Sequence, residues 1–180
     1  TSNRIDVIFK IIYLKFYNLP NTLSKDVYGE HIKIITNGLY KESDSKKEGL
    51  GNFISSFNKI YSDLSENKFD PAISKIPISK DNTIVNGAHR VAASIYLKQD
   101  VYCLKSDSPS STYNYKFFMD RGINRTIMEF GILNYIEYKE DVYLALVWPS
   151  ANKKIDYISQ FKDIVYQKKF KLNHNGAHNF

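Results

Sequence analysis

The sequence has a single cysteine, Cys103, among its 180 residues. One cysteine excludes a disulfide framework and a cysteine metal site within the chain. Because Cys103 lies in the apolar run VYCL, we expect a buried, unreactive thiol. Long hydrophobic runs are also lacking: the first apolar stretch, Ile5 to Tyr17, is interrupted by three charged residues and is shorter than the ~20 residues of a membrane span. No small-residue cleavage site follows it, as a secretory signal would require. We therefore expect a cytoplasmic protein without a membrane span.

Long basic runs are absent too, although the net charge is +6 and the pI is near 9.2. No more than two lysines are adjacent, unlike a nucleic-acid-binding tail, so a nucleotide or another anionic metabolite fits the charge better than nucleic acid. The length favours one compact domain over residues 1–180, and no repeat at solenoid periods is present. Since the chain opens on Thr-Ser without Met, we expect further domains in the same polypeptide.

The spacing of apolar residues predicts a mixed α+β or α/β fold, with a small mixed sheet and flanking helices. The predicted helices cover 5–18, 52–67, 90–97 and 155–166; the predicted strands cover 75–78, 83–85, 101–104 and 141–147; residues 127–138 are helical or mixed. The first two strands, joined by SKDN, form a hairpin-like pair in this prediction. The segments 41–51 and 106–112 are predicted surface loops, and His31 is predicted at the start of a strand.

The segment VNGAHR contains a glycine turn that is a candidate phosphate-binding site. A strand there runs into Asn86 and Gly87, and a helix begins within two residues, so the first N–H groups of the helix point outward and suit a phosphate. Gly87 lets the backbone approach closely, Ala88 keeps the space clear, His89 can donate a hydrogen bond and Arg90 offers a planar fork. The alternative is that Asn86 caps the helix, His89 packs in the core and Arg90 is solvated. The local residues leave both interpretations open.

The segment NKFDPAISKIPISKDNTIVNGAHRVAASIYL resembles the signature of the ParB/sulfiredoxin superfamily. The shared features are a short strand with Pro-Ile, a turn, a second strand, and a Gly-x-His-Arg turn that opens an Ala-rich helix; the resemblance covers residues 67–104. It implies a small mixed sheet with flanking helices. It also implies that the turn over residues 86–90 binds nucleotide phosphates.

The branches of this superfamily differ in ways that the sequence separates. Sulfiredoxins carry their catalytic cysteine directly before the histidine, where this chain has Ala88. The partitioning proteins add a helix-turn-helix domain, and none is recognisable after Leu104. The turn is most similar to that of the small-molecule kinases, which resembles Asp-Gly-His-His-Arg. Asn86 replaces the aspartate and Ala88 one histidine, while His89 and Arg90 match, so the residues that hold magnesium stay unassigned.

The kinase resemblance implies transfer of a phosphoryl group from ATP, or a similar nucleotide with Mg²⁺, to a hydroxyl of a sugar, polyol or amino acid. Such a reaction needs a group that orients or deprotonates the acceptor. The loop KESDSKKEGLG offers carboxylates for this role, with Glu42 as the first candidate and Glu48 as the second. The alternative for each is an ordinary solvated surface acid.

A second NGAH occurs in the last residues, HNGAHNF, with His174 and His178 four apart. We expect this stretch to contribute polar contacts to the acceptor substrate. A linker or partner-binding tail is an equal alternative, and a zinc site is a weaker one because no third ligand is evident.

Two other classes of function stay open beside the kinase. One is a nucleotide-gated DNA-binding or nuclease module, which the positive charge favours and the missing helix-turn-helix disfavours. The other is a non-catalytic nucleotide-binding domain, in which the turn binds but no base is present.

Overall fold

A computed structural model describes residues 4–20, 22–42 and 47–139. Within these residues the fold is mixed but mostly helical, with six helices and a two-stranded parallel sheet. The elements are α1 (Asp6–Lys15), α2 (Leu23–Ile35), α3 (Leu50–Asn67), β1 (Ile76–Ile78), α4 (Ala88–Tyr96), β2 (Cys103–Lys105), α5 (Tyr115–Asp120) and α6 (Arg125–Ile136). The mixed helix-and-strand prediction is therefore confirmed, and the finer assignment to the ParB/sulfiredoxin type stays a prediction. The predicted strand 141–147 and helix 155–166, and the two histidines His174 and His178, lie outside the described residues.

Helix α1 is the central element of the described part. It packs against α2, α4 and α6, and every residue from Asp6 to Leu14 is buried. The sequence pattern predicted a packing helix, and the structure confirms it. Its polar side is buried as well as its apolar side, because Asp6 and Lys10 pair with each other inside the core.

Strands β1 and β2 flank α4 in a strand–helix–strand unit. They run parallel, with Ile76 opposite Cys103 and Ile78 opposite Lys105. The predicted hairpin of 75–78 with 83–85 is reduced to a single antiparallel bridge between Ile78 and Ile84. Two backbone hydrogen bonds of the hairpin are present, from the Ser79 N–H to the Thr83 carbonyl and from the Val85 N–H to the Pro77 carbonyl, both at 2.9 Å. The ladder of β1 is with β2 instead, where the Ile76 N–H donates to the Tyr102 carbonyl at 2.8 Å.

Two residue predictions are wrong. His31 lies within α2 and not at the start of a strand, because Val27, Tyr28 and Ile32 lie with it on the buried side of a helix. Cys103 is exposed and not buried, because all three residues of β2 are exposed among the described residues.

Helix α5 was not predicted; it is short, and the side chain of its N-cap Asn114 accepts a hydrogen bond from the Phe117 N–H at 3.0 Å. No helix in the described ranges is long and apolar enough to cross a membrane.

Candidate functional site

The turn at residues 86–90 positions a helix N-terminus with free donors. Gly87 is left-handed, with φ of 86° and ψ of 21°, and is the N-cap of α4. The Asn86 side chain accepts from the Gly87 N–H at 2.6 Å, so it does not cap the first turn of α4. Nothing in the described residues accepts a hydrogen bond from the backbone N–H groups of 88–90, and these groups carry the positive end of the helix dipole.

Arg90 folds back over this turn. Its Nη2 atom lies 2.9 Å from the position that a Cβ on residue 87 would occupy, and its Cζ lies 3.3 Å from it. Its Nη1 atom donates to the Ser74 hydroxyl, and the side chain is half-buried. The alternative of a freely solvated arginine is therefore wrong. The guanidinium therefore lies beside Gly87, the N-cap residue of α4.

His89 is packed between aromatic rings. Its ring meets Phe57 edge-on with a centroid distance of 4.9 Å and Tyr28 at 6.0 Å. Its Nε2 atom lies 2.8 Å from the Tyr28 hydroxyl oxygen. Burial, followed by the charges of Lys10 and Lys47, holds the pKa of His89 well below its usual value. The imidazole is therefore neutral near pH 7, and it contributes as a hydrogen-bonding group and not as a cation.

Beneath the turn lies an ion cluster of Arg4, Asp6 and Lys10, which the sequence reasoning missed. The Asp6 carboxylate accepts from Arg4 Nε at 2.7 Å, Arg4 Nη2 at 2.9 Å and Lys10 Nζ at 3.0 Å. The three residues are only 5%, 1% and 2% exposed. Burial raises the pKa of Asp6, but Lys10 and Arg4 outweigh it and hold that pKa below the usual range. Burial lowers the pKa of Lys10, and the Asp6 carboxylate opposes that shift. When Lys10 is protonated, the cluster carries one excess positive charge, and the charge of Lys10 lowers the pKa of His89.

His31 lies in the same region and is fully buried. Its ring stacks on Phe9 at 5.7 Å and meets Tyr28 edge-on at 5.0 Å. Neither ring nitrogen has a hydrogen-bond partner among the described residues, which is an uncommon state for a buried imidazole. Burial, together with the charge of Lys10, holds the pKa of His31 well below its usual value. His31 is thus a neutral neighbour of the turn.

The two candidate bases differ in position. Glu42 pairs with Lys47 at 3.3 Å. Burial raises the pKa of Tyr28, and the charge of Glu42 adds a smaller contribution in the same direction. Burial lowers the pKa of Lys10, and Glu42 is the weakest of the charges that act on it. Glu42 therefore lies within electrostatic reach of the residues behind the turn. Glu48 is exposed and forms a backbone bridge with Lys41. Both glutamates are exposed, and the Glu42 side chain, at 47% exposure, differs from Glu48 in that its charge acts on Lys10.

No group of three or more His, Cys, Asp or Glu residues within the described ranges is arranged to hold a metal ion. Mg²⁺ at a nucleotide site is commonly held by one or two carboxylates together with phosphates and water, so the residues present do not conflict with nucleotide-bound magnesium.

The sequence did contain a signal for the missed residues. Arg4, Asp6 and Lys10 interrupt an otherwise apolar pattern, and Asp6 and Lys10 have the spacing of a helical ion pair. The burial of both partners is not readable from that spacing.

Comparisons of this chain with protein-family models, with curated proteins and with solved structures found no match.

Proposed function

We propose that this chain is a small-molecule kinase that binds the phosphate groups of ATP, or a similar nucleotide, at the first turn of α4. It transfers a phosphoryl group to a hydroxyl of a sugar, polyol or amino acid. The observation that carries this proposal is the left-handed Gly87 at the start of α4 with the Arg90 guanidinium fixed above it.

Several positive groups converge on that point. The backbone N–H groups of 88–90 are hydrogen-bond donors at the positive end of the helix dipole. The guanidinium of Arg90 can bind two oxygens of one phosphate. The excess charge of the ion cluster attracts an anion through a medium that screens poorly. A polyphosphate, which carries several negative oxygens, satisfies this arrangement better than a single carboxylate.

The acidic loop supports transfer as well as binding. In the proposed reaction the Glu42 carboxylate takes the proton of the acceptor hydroxyl. The acceptor oxygen forms a bond to the γ-phosphorus, the bond to the bridging oxygen breaks, and the nucleoside diphosphate leaves. Magnesium, when bound with the nucleotide, neutralises phosphate charge.

A non-catalytic nucleotide-binding domain is the second candidate, and the Glu42–Lys47 ion pair favours it. A carboxylate engaged with a lysine is a weaker base than a free one. This candidate predicts that nucleotide stabilises the fold without turnover.

The test of the site is calorimetric titration with ATP and magnesium. We expect Arg90→Ala to weaken binding about 10- to 100-fold, the range for loss of a charged hydrogen bond. The matched control is Arg125→Ala, which removes the same charge from an exposed position at the start of α6. Equal binding by the two variants would exclude the turn as the phosphate site.

The test of turnover is transfer of label from ATP to pooled hydroxyl metabolites. We expect Glu42→Gln to bind ATP normally and to lose about 10²- to 10⁴-fold in rate, the usual contribution of a general base. Glu66→Gln changes an exposed glutamate near the end of α3 and serves as the control. Binding without turnover by the parent protein would leave the non-catalytic candidate.

A further inference from the structure

We infer that Tyr28 is a positioning residue: its hydroxyl donates to His89 Nε2 and thereby keeps the imidazole proton on Nδ1, the atom that donates to the bound phosphate. The first part concerns the free protein. The second part rests on the proposed function, because it assigns a donor to the same phosphate site.

The distances decide which way the Tyr28 hydroxyl points. It has two neighbours, His89 Nε2 at 2.8 Å and the Phe53 carbonyl oxygen at 3.4 Å. Hydroxyl hydrogen bonds to oxygen lie near 2.5–3.0 Å as a rule, so the longer contact is a poor acceptor position. If Nε2 carried the proton, the tyrosine would have to donate to that distant carbonyl. When the hydroxyl donates to Nε2 instead, it forms its hydrogen bond at the shorter distance of 2.8 Å.

The protonation states of both partners agree with this direction. Burial raises the pKa of Tyr28 above its usual value, so the phenol keeps its proton. Burial lowers the pKa of His89, so its ring carries a single proton. A neutral imidazole has one donor and one acceptor nitrogen. When Nε2 accepts from Tyr28, the proton must be on Nδ1.

The Nδ1 atom of His89 is available to a ligand. Within the described residues it forms no hydrogen bond, yet it is not one of the buried polar atoms that lack a partner, in contrast to both nitrogens of His31. It therefore retains contact with solvent. His89 belongs to the first turn of α4, beside the free N–H groups of 88–90. Because the Nδ1–H of a neutral imidazole is already a donor, His89 can bind phosphate in this proposal without becoming protonated.

The tautomer is measurable in the free protein by NMR of histidine labelled with ¹⁵N, since the protonated and unprotonated ring nitrogens have well separated shifts. The His89→Asn variant assigns the His89 signals by their disappearance. We expect the parent to show the Nδ1–H pattern and Tyr28→Phe to shift toward the Nε2–H form, which a free imidazole prefers in water. An Nε2–H pattern in the parent would overturn the inference.

Tyr13→Phe is the matched control for this experiment. Tyr13 is also fully buried and packs on Tyr28 with a ring distance of 4.9 Å, but its hydroxyl bonds to Asn58 Oδ1 at 2.8 Å and does not reach His89. The Tyr13→Phe variant therefore removes one hydrogen-bonded hydroxyl from the same group of packed aromatic rings. An equal change of the His89 pattern in both variants would mean that general packing, and not the Tyr28 hydroxyl, sets the tautomer.

The ligand-binding part is tested by replacing the imidazole with amides. Asparagine places an N–H near the position of Nδ1, whereas glutamine places one near Nε2. We expect His89→Asn to bind ATP within a few-fold of the parent and His89→Gln to bind about 10- to 100-fold more weakly. Adding Tyr28→Phe should weaken ATP binding by the parent but not by His89→Asn. The reverse order of the two amides would overturn the role of Nδ1.

The two proposals fail in different ways. If NMR shows the Nδ1–H form but the parent binds neither ATP nor inorganic triphosphate, the phosphate site is wrong and Nδ1 is not its donor, while the role of Tyr28 in the free protein stands. If ATP binds and depends on Arg90 but the tautomer is Nε2–H, the proposed function stands and this inference fails. Urea unfolding of each variant separates loss of binding from loss of the fold.

Discussion

Replacement of Gly87 by alanine tests the geometry on which the site depends. The residue has a φ of +86°, and an added Cβ would lie 2.9 Å from Arg90 Nη2 and 2.9 Å from Ile76 Cδ1. The left-handed conformation costs an ordinary residue roughly 1–2 kcal/mol. Ile76 is fully buried, so the close contact adds an overpacking cost of about 1–3 kcal/mol. We expect Gly87→Ala to lower the free energy of unfolding by roughly 2–5 kcal/mol.

Gly38→Ala provides the control, because Gly38 has a φ of +79° but nothing within 4 Å of an added Cβ. It should show the conformational cost alone. Urea unfolding followed by circular dichroism gives both values, and their difference measures the contact with Ile76 and Arg90. Since the flexible Arg90 moves more easily than buried Ile76, ATP binding should also fall for Gly87→Ala and stay unchanged for Gly38→Ala. Equal stability losses would refute the packing of Arg90 and Ile76 on the turn.

Three further measurements test other parts of the structure. Asp6→Asn leaves Lys10 without its anion and should lower the free energy of unfolding by about 3–5 kcal/mol near pH 7. The folded pKa of Asp6 is below the usual 3.8, so the ionised carboxylate stabilises the parent fully above about pH 4, and this stabilisation is lost as the pH falls toward the folded pKa. The difference in free energy of unfolding between the parent and Asp6→Asn should therefore become smaller in acid. Gly131→Ala places a Cβ 2.5 Å from Phe9 Cε1 and should cost about 1–3 kcal/mol in thermal unfolding despite the better helix propensity of alanine; a stabilised variant would contradict the packing of α6 on α1. Cys103 should react with a thiol reagent in the native protein, and reaction only after denaturation would contradict its exposure.

The sequence predicted the elements whose apolar spacing is regular. Helices α1 and α3 were predicted in this way, whereas α4 was predicted from its helix-favouring composition and the turn before it from the order of strand, glycine and helix. Helix α2 was missed because its local signals conflict. Gly29 lowers helix propensity in its middle, and the apolar run after His31 has the composition of a strand. Packing resolves the conflict: Leu50 fills the space beside Gly29, and Phe9 stacks on His31.

Strand pairing and burial of charge were beyond the reach of local patterns. The SKDN turn favoured a hairpin, of which the structure has one antiparallel bridge between Ile78 and Ile84. The ladder of β1 is with β2, and the Ile76 N–H donates to the carbonyl of Tyr102, which is 26 positions further along the chain. The pairing of β1 with β2 is thus a long-range contact that no local pattern contains. In the same way the spacing of Asp6 and Lys10 predicts an ion pair but not its depth. Only the fold shows that both side chains are buried, on a helix that packs against α2, α4 and α6.

The positions of the ion cluster and the turn explain why charge is buried here at all. Two cations and one anion inside a core are unfavourable, because burial penalises each charge and the buried Asp6 carboxylate balances only one of the two cations. The charge of Glu42 acts on Lys10 only weakly and from an exposed position. In the proposed function, an anion bound at the first turn of α4 would supply the missing negative charge. The stability lost to the cluster in the free protein is then recovered on binding, since a ligand that binds only the folded state stabilises it in proportion to its occupancy. On this argument the cluster makes the free protein less stable than an apolar core would, and makes the same fold a better binder of phosphate.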